Sequence, residues 1–170
     1  MRVLDAGAST GGFTDCLLQR GAASVVALDV GHGQLHPRIR EDSRVAVIER
    51  YNVREVTAAA IGGPVDGVVA DLSFISLTRV IEALVDVCRP AAPLILLVKP
   101  QFEAGREEVS KGHGVITDPQ IHERVVAEID AALCACQCRV EGWIDSPITG
   151  AQGNREFLVH ATAPRQGSSA

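Results

Sequence analysis

Short apolar runs rich in β-branched residues alternate with helix-like segments, and this alternation constrains the fold more than any other feature of the chain. It predicts strands at 2–6, 24–29, 44–49, 65–71 and 94–99. The helices expected between and after them cover 12–20, 34–42, 54–61, 77–88 and a long segment that begins at Asp118. Such βα units build a mostly parallel sheet with helices on both faces.

Two further strands, near 139–145 and 155–161, follow one another without a helix between them. Strands joined in this way pair antiparallel, so we predict a Rossmann-like, seven-stranded α/β sheet with an antiparallel hairpin at one edge. The segment 103–114 is polar and rich in glycine, which predicts a long loop. We expect one domain over 1–163 and a flexible tail over 164–170.

The most specific local pattern joins the first strand to the first helix, in the run Asp5-Ala6-Gly7-Ala8-Ser9-Thr10-Gly11-Gly12-Phe13-Thr14. Glycines let a backbone turn tightly and approach a ligand closely, and a helix N-terminus offers free N–H groups. The Gly-x-x-x-Gly-Gly spacing differs from the Gly-x-Gly-x-x-Gly of dinucleotide-binding proteins. The residues expected to hold a cofactor here are Asp5, Gly7, Ser9, Thr10, Gly11, Gly12 and Phe13.

Polar side chains follow the ends of the neighbouring strands. Asp29 ends the second strand, where an acidic residue can bind both ribose hydroxyls of a nucleoside. Val30 comes next, and Asn52 follows the third strand, where a polar side chain can meet the edge of an adenine. Asp71 ends the fourth strand. Because ligands bind at the carboxyl ends of parallel strands, we expect these residues to share one pocket.

Three later segments join the glycine-rich loop in a recognisable order: Ala70-Asp71-Leu72-Ser73-Phe74-Ile75-Ser76, Val98-Lys99-Pro100-Gln101-Phe102-Glu103 and Gly153-Asn154-Arg155-Glu156-Phe157. Together the four segments resemble the TlyA (hemolysin A) family of ribosomal RNA 2′-O-methyltransferases, which is related to the FtsJ-type RNA methyltransferases. The resemblance implies the class I methyltransferase fold, S-adenosylmethionine as cofactor, and ribosomal RNA or a ribosomal subunit as partner.

The same resemblance implies a catalytic cluster. The family uses a Lys-Asp-Lys-Glu tetrad, and the motif positions that match its last three members are Asp71, Lys99 and Glu156. The first lysine would precede the first strand, but the chain begins at Met1, so neither that lysine nor the family's N-terminal RNA-binding domain has a counterpart. We therefore expect a fragment or a truncated homologue.

The residue types of this cluster suit methyl transfer to a hydroxyl. A ribose hydroxyl is a poor nucleophile until its proton leaves, and a lysine amine can accept that proton once its environment favours the neutral form. Asp71 and Glu156 are expected to orient Lys99. Phe13 and Phe74 could stack near the adenine or a target base, although core packing is favoured for both rings. Arg106 and Lys111 could contact RNA phosphates, although a solvated loop is slightly favoured.

Net charge, cysteine spacing and hydropathy bear on RNA binding, on metal binding and on cellular location. The formal net charge of −5 lacks the basic excess of most nucleic-acid enzymes, so basic residues must cluster locally or RNA affinity must come from outside this chain. The five cysteines have no spacing typical of zinc sites, so we expect reduced thiols and no metal. The sequence shows no secretory signal and no membrane-spanning run, which favours a cytoplasmic protein; its oligomeric state stays open.

Three alternative functions stay open. The chain is either an active methyltransferase domain or a truncated homologue that binds the cofactor without turnover. The family's other name raises a membrane-active hemolysin, although the sequence has no basic amphipathic helix of the kind that lies on membranes. A nicotinamide dehydrogenase is disfavoured by the glycine spacing.

Overall fold

The computed structural model describes residues 1–165, apart from the side chains of Arg106, Lys111 and Ala151. Seven strands form one sheet in the order β3-β2-β1-β4-β5-β7-β6. Their bounds are β1 Arg2–Ala6, β2 Ser24–Leu28, β3 Val45–Ile48, β4 Gly67–Ala70, β5 Pro93–Val98, β6 Arg139–Asp145 and β7 Phe157–Thr162. Strands β1 to β5 pair in parallel, and β7 pairs antiparallel with both β5 and β6. The predicted fold and edge hairpin are confirmed; of the predicted tail, 166–170 lie outside the described residues.

Six α-helical segments surround the sheet. They are α1 Gly12–Gln19, α2 Pro37–Arg40, α3 Ile81–Asp86, α4 Pro100–Glu103, α5 Arg106–Lys111 and α6 Pro119–Ala135 within the described residues. The side chain of Asp118 accepts a hydrogen bond from the backbone N–H of Gln120 and caps α6. Val125, Ile129 and Leu133 follow one another at intervals of four residues, so they share one face of that helix, and all three are fully buried. This face explains why α6 packs against the sheet.

Two predicted elements are wrong. The helix expected at 54–61 is reduced to a single 3₁₀ turn, Val53–Glu55. The side chains of Asn52 and Thr57 accept hydrogen bonds from the backbone N–H groups of Arg54 and Ala60, and such local bonds compete with a helix. The loop expected at 103–114 instead contains α5, because Glu108 caps the N–H of Gly105 and also pairs with Arg124 of α6.

The order of the strands determines where in the sheet a ligand-binding crevice lies. From β1 the chain moves outward to β2 and β3, and it then returns to the other side of β1 to form β4 and β5. The order in which strands are added therefore reverses between β1 and β4, which are themselves parallel. Ligands bind in α/β sheets at the crevice above such a switch point. Gly7, Asp29, Asp71 and Lys99 each follow the last residue of one of these strands.

Candidate cofactor and catalytic site

A cavity of about 540 Å³ opens above the switch point. Its volume lies in the range of roughly 300–1,000 Å³ that small-molecule and cofactor sites occupy. Six of the predicted cofactor residues line it: Gly7, Ser9, Asp29, Val30, Asn52 and Asp71. Residues that had not been predicted complete the wall, among them Gln34, Tyr51, Arg54 and the stretch from Leu72 to Ile75. We call this space the first cavity.

Gly7 allows the first strand and the fourth to approach each other closely. Its φ is +84°, and a β-carbon at this position would lie 2.2 Å from the backbone carbonyl oxygen of Asp71. The N–H of Gly7 donates to the carbonyl oxygen of Leu28 at 2.8 Å. Glycine is thus required both by the left-handed backbone and by the lack of space.

Asp29 is held rigidly at the cavity wall. One carboxylate oxygen accepts the N–H of Ser9 at 2.8 Å, and the other accepts the N–H of Gly31 at 2.7 Å. Each oxygen keeps lone pairs beyond these bonds. The carboxylate therefore ties the glycine-rich loop to the segment after β2 and can still accept hydroxyl groups from a ligand.

Asp5 lies beneath the loop and not in the cavity. Its side chain is fully buried, and one of its oxygens accepts the hydroxyl of Thr14 at 2.6 Å. Burial raises the pKa of Asp5 to about 6, although the hydrogen bonds from Thr14 act in the opposite direction. Any effect of Asp5 on a cofactor is therefore indirect, through the position of the loop and of α1.

The second half of the loop faces another part of the surface. Thr10, Gly11 and Gly12 line a separate open cavity of about 670 Å³ beside α1 and α2. Phe13 is half-buried and belongs to neither of these two cavities. The sequence predicts one continuous binding surface for the loop, but its two halves line different cavities, and the change occurs between Ser9 and Thr10.

Lys99 and Asp71 form an ion pair beside the first cavity. The Nζ of Lys99 lies 2.5 Å from a carboxylate oxygen of Asp71 and donates to the hydroxyl of Ser73 at 3.3 Å. The side chain of Lys99 is only 13% exposed, whereas that of Asp71 is 39% exposed. The ring of Phe102 lies 6.0 Å from the same Nζ, so the ammonium is largely enclosed.

Glu156 is placed elsewhere in the cluster. It is buried, and its Oε1 accepts the side-chain amide of Gln101 at 2.9 Å. Within the described part of the chain, Glu156 forms no ion pair with Lys99. The structure thus brings two members of the predicted catalytic cluster together and connects the third through a glutamine that sequence reasoning had not selected.

A second cavity of about 1,000 Å³ adjoins the first. Arg54, Phe74 and Ile75 line both spaces, and Arg79, Gln101 and His113 line the second alone. Burial raises the pKa of the Glu103 carboxyl in its wall, even though that carboxyl accepts bonds from Ser76 and Leu77. The side chains of Arg106 and Lys111, predicted to meet phosphates, lie outside the described residues.

Phe74 stands at the boundary of the two cavities. The core position predicted for it is wrong: the residue is 90% exposed, adopts φ +64°, and its ring centroid lies 5.0 Å from that of Phe102. Backbone in this region costs free energy for a bulky residue and is concentrated at functional sites. Its position four residues after the end of β4 at Ala70 carried no signal that separates an exposed ring from a buried one.

The structure also bears on metal binding, on disulfides and on membrane-spanning helices. Among residues 1–165, no group of three His, Cys, Asp or Glu side chains is arranged to hold a metal ion. All five cysteines are free thiols. No helix that the structure describes has both the length and the apolar character needed to cross a bilayer.

Comparison with known proteins extends these observations. The sequence profile of the FtsJ-like methyltransferase family matches residues 1–163. The chain is 52% identical over 158 residues to the 16S/23S rRNA (cytidine-2′-O)-methyltransferase TlyA of Mycobacterium tuberculosis, with 93% of this chain aligned. It is 42% identical to hemolysin A of Brachyspira hyodysenteriae, with 92% aligned. It spans only 59% of the mycobacterial protein and 65% of hemolysin A.

Solved structures agree with the topology. A Lactococcus lactis protein, provisionally named a hemolysin, superimposes with a TM-score of 0.92 at 43% identity, over 95% of this chain and 77% of its own. An S-adenosylmethionine-dependent methyltransferase from Mesorhizobium loti shares the fold alone, with a TM-score of 0.69 at 15% identity over 95% and 90% of the two chains. The motifs, the sheet order and the profile match across nearly the whole length lead to one conclusion: the chain belongs to the FtsJ-like methyltransferase family.

Proposed function

We propose that this chain is the catalytic domain of an S-adenosylmethionine-dependent methyltransferase that acts on ribose 2′-hydroxyls of ribosomal RNA. The observation that carries the proposal is the Lys99–Asp71 ion pair, because Asp71 lines the first cavity and Lys99 lies between it and the aromatic wall of the second. An ionisable pair at the junction of two cavities suits the transfer of a group from a ligand in one to a ligand in the other.

The first cavity fits S-adenosylmethionine. Asp29 offers a fixed carboxylate to ribose hydroxyls, and Asn52 offers a polar side chain to an adenine edge. Gly7 lets the loop pack directly against the backbone of Asp71 at the cavity wall. When bound, the cofactor would supply a methyl group on a positively charged sulfur. The carboxylates of Asp29 and Asp71 would provide the negative charge that such a cation prefers.

The second cavity fits a nucleotide of RNA. Arg54 and Arg79 line it and are exposed, so both can reach phosphate oxygens. Phe74 presents an exposed ring beside Phe102, and aromatic faces of this kind stack unpaired RNA bases. A ribosomal RNA substrate would place the enzyme in the cytoplasm, and its partner would be ribosomal RNA or a ribosomal subunit.

Lys99 is the candidate to accept the proton of the attacking hydroxyl. It is held by Asp71 and Ser73, so its Nζ has a defined position at the junction of the two cavities. An ammonium only donates hydrogen bonds, so Lys99 must first lose a proton to solvent before its amine can accept the proton of the hydroxyl. A positioned proton acceptor accelerates such a step by roughly 10² to 10⁴-fold, and fixing the two reactants in line contributes roughly 7–11 kcal/mol. We therefore expect Lys99→Ala to lose methyl transfer while it keeps cofactor affinity.

The first test is calorimetric titration with S-adenosylmethionine, with NADH as the control ligand. We expect saturable binding of S-adenosylmethionine that Asp29→Ala weakens at least tenfold, while Asp15→Ala on the exposed side of α1 does not. Methylation of ribosomal RNA by wild type and by Lys99→Ala follows. Cofactor binding without methylation would favour a binding-only homologue, and tighter binding of NADH would refute the assignment.

A further inference from the structure

We propose that Gln101 is a positioning residue through which Glu156 acts on the turn that carries Lys99; this inference rests on the proposed function. The resemblance assigns a catalytic role to Glu156, yet Glu156 makes no ion pair with Lys99 in the described part of the chain. Its carboxylate instead accepts the amide nitrogen of Gln101 at 2.9 Å.

The surroundings of Glu156 leave Gln101 as its polar neighbour on the cavity side. Glu156 is 7% exposed. On another side the backbone of Gly150 closes over the carboxylate so tightly that a β-carbon there would lie 2.0 Å from Oε1. A buried carboxylate must be hydrogen-bonded to remain charged, and Gln101 supplies that bond while it also lines the second cavity.

Gln101 is rigidly connected to Lys99. The two residues belong to one tight turn, in which the N–H of Phe102 donates to the carbonyl oxygen of Lys99 at 2.8 Å. The end of the same turn is fixed by Glu103, which accepts the N–H of Leu77 at 2.9 Å. A change in the position of the Gln101 side chain is therefore transmitted to the backbone that positions Lys99.

Only the nitrogen of the Gln101 side-chain amide has a hydrogen-bond partner among the described residues. The amide oxygen is buried and has no hydrogen-bond partner among the described residues. An unsatisfied buried acceptor costs free energy, and in a native structure it is a sign of a functional constraint. The geometry accounts for it: the nitrogen must face Glu156, because an ionised carboxylate only accepts hydrogen bonds, and this orientation leaves the oxygen without a partner.

The test is a double-mutant cycle on methyl transfer with Gln101→Ala, Glu156→Ala and the double variant. We expect Gln101→Ala to lower kcat at least tenfold with little change in the KM for S-adenosylmethionine, and to have no further effect in the Glu156→Ala background. Residues that act as a unit show this non-additivity. Gln120→Ala, an exposed glutamine at the start of α6, is the matched control and should behave as wild type.

A second variant gives a readout that a merely structural role would not change. Gln101→Glu places two carboxylates at hydrogen-bond distance, so they can share a proton at low pH but repel each other at high pH. Its kcat should therefore fall with rising pH more steeply than that of wild type. An active wild type with a normal or additive Gln101→Ala variant, or with an unchanged pH profile in Gln101→Glu, overturns the inference alone. An inactive wild type overturns the proposed function and the inference with it.

Discussion

Gly7 is the position where a single methyl group should do the most damage to the cofactor site. An alanine there must adopt the left-handed backbone of φ +84°, and its β-carbon would meet the carbonyl oxygen of Asp71 at 2.2 Å. The obstructing atom belongs to the backbone of a central strand end, so it cannot rotate aside. The strain must therefore be relieved by a shift between the glycine-rich loop and Asp71.

Two contributions set the magnitude. A left-handed conformation costs a non-glycine residue roughly 1–2 kcal/mol, and overpacking of a well-packed site costs roughly 1–3 kcal/mol more. We expect Gly7→Ala to lower the free energy of unfolding by about 2–5 kcal/mol, measured by urea denaturation with an unchanged m-value. The same shift should weaken S-adenosylmethionine binding at least tenfold by calorimetry, because Gly7 and Asp71 both line the first cavity.

Gly12→Ala is the matched control. Gly12 opens α1, and a β-carbon there would have nothing within 4 Å. Alanine is the better helix former by up to about 1 kcal/mol, so this variant should be as stable as wild type or slightly more stable, with unchanged cofactor affinity. A Gly7→Ala protein within about 0.5 kcal/mol of wild type, or a Gly12→Ala protein that is equally impaired, would refute the reasoning.

Three further predictions concern groups at and around the site. Burial raises the pKa of Asp5 to about 6 from 3.8, so the folded state binds this proton more tightly than the unfolded state, and stability is lost as pH rises from about 4 to above 6. Relative to Asp5→Asn, the wild-type unfolding free energy should therefore fall by up to about 3 kcal/mol across that range. A pH-independent difference between the two proteins would contradict this. Phe74→Ala should raise the KM for RNA about tenfold or more, because it removes a ring on which a base can stack. Cofactor affinity and stability should stay unchanged, since the ring is 90% exposed. A loss of stability in this variant would show that the ring serves packing instead. Exposed Cys134 should react first with a thiol reagent at pH 8. Burial raises the pKa of the Cys88 thiol to about 12, so Cys88 should react only after denaturation. Rapid labelling of Cys88 in the folded protein would contradict its burial.

The sheet was predictable because its signal is local and strong. Strands buried on both faces appear as continuous apolar runs, and the predicted bounds of the buried strand β1 agree with the structure to the residue. The predicted bounds of β6 agree as well, although it is a largely exposed edge strand. The helix expected at 54–61 was wrong because the side chains of Asn52 and Thr57 accept local backbone hydrogen bonds that compete with it. The loop expected at 103–114 was wrong because a contact distant in sequence decides the conformation. The cap of α5 depends on Glu108, which is fixed by Arg124 from α6, and nothing in the segment 103–114 reveals that partner.

The candidate site, too, contains some residues that the sequence predicts and others whose roles depend on three-dimensional packing. Strand-ending residues such as Asp29 and Asp71 were predictable, since parallel strands deliver their carboxyl ends to one edge of the sheet. The contribution of each loop residue was not predictable, because Ser9 lines the first cavity whereas the next residue, Thr10, lines the separate cavity beside α1 and α2. The partner of Glu156 was equally hidden, since only packing in three dimensions interposes the side chain of Gln101.

The net charge of −5 and an RNA substrate are compatible because the charge is unevenly neutralised. Elsewhere on the surface, arginines such as Arg44 and Arg155 are paired with carboxylates, and such pairs add little to the field felt by a phosphate. Arg54 and Arg79 form no ion pair within the described part of the chain, and both line the second cavity. Recognition of a backbone phosphate depends on this local field, so the net charge of the chain does not argue against the proposed RNA substrate.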